Sequence, residues 1–172
     1  MFHRLLCATL PILVAASIIT PADARHRASH TRSTASSSYP APVILAAHPG
    51  TALDHDARTL NEDDLADAAK HHDAPVVLVG SAPLSSKKSD EALFVQLQSA
   101  RLCGSAGCTT SVYLRHNNNW TTVLDSVNGD ISVLGTSHRG MRDLQVGRND
   151  RWVWDGSQYQ DTLNSPAMPN LR

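Results

Sequence analysis

Residues 93–114, LFVQLQSARLCGSAGCTTSVYL, decide how the chain is read. From Leu93 to Gln98 apolar residues hold the odd positions and glutamine holds Gln96 and Gln98, the two-residue period of a half-buried strand. Val112 and Leu114 resume that period beyond the Cys103–Cys108 corner, with Tyr113 between them. Placing Cys103 directly opposite Cys108 predicts an antiparallel register that pairs Arg101 with Thr110, Ser99 with Val112 and Leu97 with Leu114. Val95, Leu97, Val112, Leu114 and both sulfurs then share one face, and Phe94 and Tyr113 take the other. Gly104 and Gly107 suit the turn because glycine tolerates positive φ. Directly opposed strand residues are close enough for a disulfide. A redox pair takes the Cys-x-x-Cys spacing at a helix start, whereas four residues intervene here between strand-like flanks. No nearby Cys or His completes a tetrahedral metal set. A structural Cys103–Cys108 disulfide is therefore expected.

Toward the N-terminus, Arg4 precedes an apolar run from Leu5 to Thr20, and Ala22-Asp23-Ala24 supplies the small residues that signal peptidase requires. The run falls short of the ~20 residues that span a bilayer, which favours a secretory signal over residues 1–24 against its rival, a permanent anchor. Cys7 would leave with the signal. Cys103 and Cys108 then form an even pair, the arithmetic of an oxidising compartment. Removing 24 residues from 172 leaves 148, enough for one domain with its own core. The expected location is the periplasm or the medium, with no transmembrane segment after signal removal. A formal net charge of −1 excludes a strongly basic surface and gives no sign of a nucleic-acid partner. Arg25 to Pro42, RHRASHTRSTASSSYPAP, has little to bury and is expected to be a disordered linker.

Val43 to Ala47 fits either an edge strand or a helical turn. Asn61, followed by Glu62, Asp63 and Asp64 and then by Leu65, Ala68, Ala69 and His72 on one face, predicts a capped helix over 62–72. Ala74-Pro75 ends it, Val76 to Val79 reads as a buried strand, and Ser81 to Asp90 as a polar loop. Downstream, a three-residue turn over Asn117 to Asn119 would pair Leu124 with Val112, and Trp120, Thr122 and Leu124 would share a face. Asn128-Gly129 marks a reversal before Ile131 and Val133, and Leu144 and Val146 follow Gly140. An Asp155-Gly156 turn would place Trp152 across from Tyr159. The predicted class is α+β, predominantly an antiparallel β meander with one N-terminal helix. A single globular domain over 43–162 is followed by a loosely ordered tail, 163–172.

The string LFVQLxSxxxCGxxGC, followed by HxGxxDLxV over His138 to Val146 and WxWDGxxY over Trp152 to Tyr159, resembles a class of small exported proteobacterial proteins of unassigned function. The closing pattern also resembles one blade of the FG-GAP or integrin-like β-propeller repeats. Those repeats often carry an aspartate-rich calcium loop before the first strand. The matching stretch here, Ser85 to Glu91, holds two lysines and only two acids, so the resemblance does not extend to calcium.

Chemistry-bearing patterns are sparse. His71 and His72 are adjacent and point to different sides of their helix, and no HExxH or comparable ligand spacing occurs, so no metal and no cofactor is expected. Asp125 to Asp130 lacks EF-hand spacing and reads as a turn. Gly135 to Gly140 lacks the spacing of a serine elbow, and Asp143 suits a structural acceptor near the Gly140 turn. Trp120, Trp152, Trp154 and Tyr159 are the candidate binding residues, as an exposed aromatic shelf for sugar rings or a partner chain, with core packing the competing role. The expected function is that of a noncatalytic binding domain contacting an envelope protein or cell-wall polymer, one variant being an inhibitor of a cell-wall hydrolase. The alternative is an envelope hydrolase or metal-binding enzyme using His138 and Asp143, or His71 and His72.

Overall fold

The computed structural model describes residues 39–87 and 90–163. The expected signal, most of the expected linker and the tail from 164 onward lie outside them. The elements are β1 (Ala41–Pro42), α1 (Ala52–Leu60), α2 (Glu62–Lys70), β2 (Val76–Ser81), β3 (Glu91–Gln98), β4 (Thr109–His116), β5 (Asn119–Asn128), β6 (Ile131–His138), β7 (Met141–Val146), β8 (Asp150–Trp154) and β9 (Tyr159–Asp161). The class is α+β, mainly antiparallel β, with two short helices rather than one.

The strands form two antiparallel sheets, a first of order β2-β3-β4-β5 and a second of order β1-β6-β7-β8-β9. Strand β3 explains the layering. Ala92 and Phe94 point one way, Leu93 and Val95 the other, and all four are at most 2% exposed. A strand that is apolar on both sides must be covered on both. On one side Phe94, Val112 and Leu124 pack against Val133, Leu144, Val146, Trp154 and Tyr159 of the second sheet. On the other side Ala57 joins Val77, Val79, Leu93, Val95 and Tyr113, with Leu53, Leu60 and Leu65 of the helices packed against them. The result is three layers, with helices on the first sheet and the first sheet on the second.

This double coverage overturns the sequence-derived register. Strands β3 and β4 pair Phe94 with Val112, Leu93 with Tyr113 and Gln96 with Thr110, five positions away from the register predicted by opposing the cysteines. An odd shift exchanges faces, so Leu93 and Val95 lie with Tyr113 while Phe94 lies with Val112. The cysteines stand outside the ladder, in the connection between β3 and β4. There Gly104 and Gly107 exchange both backbone hydrogen bonds at 3.0 Å, and the Cys103–Cys108 disulfide, with a Cα–Cα distance of 4.2 Å, closes the small loop.

Other expectations shift for local reasons. The domain begins before Val43: Tyr39 lies over Gly135 and the Arg142 guanidinium, and β1 pairs with β6. The 43–46 stretch then runs extended, with Val43 donating to the Ile131 carbonyl and Ala46 bridging to Val79, so it spans both sheets. Helix α1 was not anticipated, although Thr51 caps it by accepting from the Asp54 amide and Asp54 pairs with Arg58 at 3.1 Å. Asn61 does not cap α2 with its side chain. Its amide nitrogen donates to the Ala57 carbonyl at 2.7 Å and its oxygen accepts from the Tyr113 hydroxyl at 3.0 Å.

Asn117 and Asn118 both adopt left-handed φ and form a two-residue turn that pairs His116 with Asn119. A bulge still brings Leu124 opposite Val112, but it separates Leu124 from the face of Trp120 and Thr122. Asp125 to Asn128 is strand rather than turn, and the chain passes at Gly129 (φ 110°) from the first sheet to the second, which divides the expected meander. In the last hairpin Trp154, not Trp152, faces Tyr159. Asp155 Oδ1 accepts from the amides of Ser157 and Gln158 at 2.7 and 2.9 Å, which fixes a four-residue loop and lowers the Asp155 pKa to about 2.

Because the disulfide closes a short ring outside the ladder, replacing both Cys103 and Cys108 by serine is expected to cost about 2 kcal/mol without unfolding the domain. The urea midpoint, compared with that of the wild-type chain with and without reductant, measures this.

Candidate functional site

A concavity of about 390 Å³ opens where the helical layer ends over the first sheet, larger than those of about 300, 330 and 260 Å³ elsewhere on the domain. Its size falls within the range of small-molecule sites. Strands β3 and β4 supply the floor, with Val95 directly opposite Ser111 and with Leu97 and Tyr113 on the same face. Leu60, Asn61 and Asp64 at the α1–α2 junction form one wall. Leu102 and Thr109 form another, from the connection that the disulfide closes. That rim is tied down by Ser99, whose hydroxyl donates to Asp73 at 2.5 Å and accepts from the Leu102 amide at 3.2 Å. The third side is the β5 edge, with Thr122, Asp125 and Ser126.

The polar groups are ordered by one another. Ser111 and Ser126 both donate their hydroxyls to Asp125 Oδ1, at 3.2 and 2.8 Å, and the Ser126 amide donates back to Ser111 Oγ at 3.2 Å. Ser126 takes a left-handed φ of 51° to do so. Asp64 and Asp125 line the cleft, and among the described residues no Lys, Arg or His does. The Tyr113 hydroxyl stays protonated to higher pH than usual, chiefly through burial and further through the fields of Asp125 and Asp64.

The four aromatic candidates do not gather into a shelf. Trp154 and Tyr159 are 9% and 3% exposed and meet edge to face at 5.4 Å between the sheets. Trp152 is partly buried against that same core, with its indole nitrogen enclosed and unpartnered among the described residues. Trp120 lies on the helix side of the first sheet, beneath the Arg115 guanidinium at 5.1 Å. Because Trp152 and Trp154 are two residues apart on one strand they face the same way, and that way is inward.

His138 and Asp143 do meet. His138 Nδ1 lies 2.6 Å from Asp143 Oδ1, while Thr136 Oγ1 and Arg151 donate to Oδ2 at 2.6 and 2.5 Å. Asp143 is 0% exposed although it points away from Leu144 and Val146. Burial pushes its pKa up, but the hydrogen bonds from Thr136, Arg151 and His138 outweigh burial and hold the carboxyl below its usual range. The group lies in none of the four concavities above, and Arg151 already neutralises the carboxylate that would polarise His138. It fastens the irregular end of β6 to β7 and β8. His71 and His72 lie exposed at the end of α2, on the helical layer and apart from this group.

Among the described residues no group of three or more His, Cys, Asp or Glu could hold a metal ion, and no helix is long and apolar enough to cross a membrane. Comparison with protein-family models, with curated proteins and with solved structures returned no match. Sequence reading missed the cleft because its residues come from separate elements. The available signal was the polar parity of Ser111 and Tyr113 across from Thr122 in strands otherwise rich in apolar residues.

Asp143→Ala is expected to destabilise the domain by about 3 kcal/mol, since it leaves Arg151, His138 and Thr136 without their common acceptor. The wild-type carboxyl titrates below its unfolded value of 3.8. Its contribution is therefore complete above that pH and is lost as the pH falls through the depressed folded value. Denaturation midpoints of wild type and variant from pH 7 downward should converge only below pH 3.8.

Proposed function

We propose that this chain is an exported, noncatalytic binding domain of the periplasm or medium that engages an envelope protein or cell-wall polymer through the cleft bordered by Asn61, Asp64, Ser111, Tyr113 and Asp125. The observation that carries this reading is the cleft itself: a preformed concavity in which the Ser111 and Ser126 hydroxyls and the Asp125 carboxylate hold one another in fixed geometry. The Cys103–Cys108 disulfide fits an oxidising compartment, as does the resemblance to small exported proteins. Inhibition of a cell-wall hydrolase is one form such binding takes.

Purified protein mixed with envelope extract, and separately with isolated wall polymer, should co-sediment with one of them. Asp125→Asn, which keeps the acceptor for Ser111 and Ser126, should weaken that binding at least threefold. A lysozyme assay with and without the protein decides the inhibitor variant. Retention unaffected by Asp125→Asn would discard the cleft.

The contact between His138 and Asp143 gives a hydrolase its one supporting observation. That reading requires hydrolysis of a wall substrate abolished by His138→Gln.

A further inference from the structure

We infer that the cleft takes a primary ammonium carried on an aliphatic stem, as in the lysine side chain of a peptide segment of the partner. The inference rests on the binding reading above and specifies its ligand. Its first support is the balance of donors and acceptors. The Tyr113 hydroxyl donates to Asn61, the Asn61 amide donates to the Ala57 carbonyl, and the Ser111 and Ser126 hydroxyls both donate to Asp125 Oδ1. The three hydroxyl hydrogens and one of the two Asn61 amide hydrogens are spent inside the protein. Beside the hydroxyls of Thr109 and Thr122, the lining offers acceptor capacity in the Asp125 and Asp64 carboxylates and the Tyr113 oxygen. A ligand group seated against the carboxylates donates, and two carboxylates with no Lys, Arg or His among the described lining residues favour a donor that is positively charged.

The second support is the shape of the apolar surface. Leu60, Leu97 and Leu102, all half-buried, line the same cleft beside Val95. They offer a small area of methyl and methylene contact to a hydrocarbon stem, in a cleft whose open surface is otherwise mostly polar. A neutral sugar ring finds less to hold it. The one aromatic lining residue, Tyr113, is 6% exposed, so little of its face is open to stacking. The Tyr113, Ser111 and Ser126 hydroxyls already spend their hydrogens within the protein.

The test uses the full chain, isotopically labelled, and reads backbone amide shifts. Nα-acetyl-lysine methylamide at millimolar concentration should move the amides of Ser111, Asp125 and Ser126. Its Nε-acetylated counterpart, with the same stem and no charge, and N-acetylglucosamine should not. Affinity should fall about tenfold in Asp125→Asn and less in Asp64→Asn, which is more exposed, and should weaken further at high salt. Equal binding of the acetylated compound, shifts at the same amides with N-acetylglucosamine, or lysine-induced shifts scattered away from the cleft would each overturn the inference. If the lysine probe fails while envelope retention stays sensitive to Asp125→Asn, the ligand chemistry is wrong and the binding reading stands. If the probe binds but no envelope fraction is retained, the broader reading falls instead.

Discussion

The fold depends on the first sheet being covered on both faces. Leu93 and Phe94 are adjacent, point in opposite directions and are each 0% exposed, so neither the second sheet nor the helices alone could remove this strand from water. Each such side chain contributes roughly 1.5–3 kcal/mol when fully buried, and that gain acts in two directions at once. It draws α1 and α2 onto one face and β6 to β9 onto the other. The extended 43–46 segment closes one edge by bonding to Ile131 of the second sheet and to Val79 of the first.

The cleft is a by-product of unequal lengths. Two nine-residue helices cover the β2, β3 and Tyr113 side of the first sheet and leave its Ser111 to Ser126 side open. That open area carries polar groups where the covered area carries Val77, Val79 and Leu93. The disulfide-closed connection turns the exposed strip into a concavity by bringing Leu102 to its rim. A corner that makes a modest contribution to stability thus helps to shape the candidate site.

The second sheet meets water on its other face and manages one difficult group there. Asp143 is enclosed yet ionised because Thr136, His138 and Arg151 converge on it, and its charge in turn helps to keep the buried Tyr159 hydroxyl protonated. Tyr159 donates that proton to the Arg142 carbonyl at 2.7 Å, which joins the polar group to the inter-sheet core through the backbone of β7. The His138 and Asp143 side chains that suggest catalysis in a one-dimensional reading share their contact here with Thr136 and the Arg151 guanidinium.

Local signals in the sequence determined the strands from Val76 to Tyr159, the helix after Asn61, the cysteine pair and the α+β class, because period, capping and turn chemistry act over a few residues. They did not determine the register of β3 on β4, since a strand apolar on both faces fits either neighbour and the cysteines supplied a plausible but false anchor. Alternation placed Trp152 and Trp154 on one side, yet only packing against the second sheet made that side the interior. The cleft was decided by tertiary structure alone. Asn61, Ser111 and Asp125 are far apart along the chain, and nothing short of the stacked layers brings their side chains around one space.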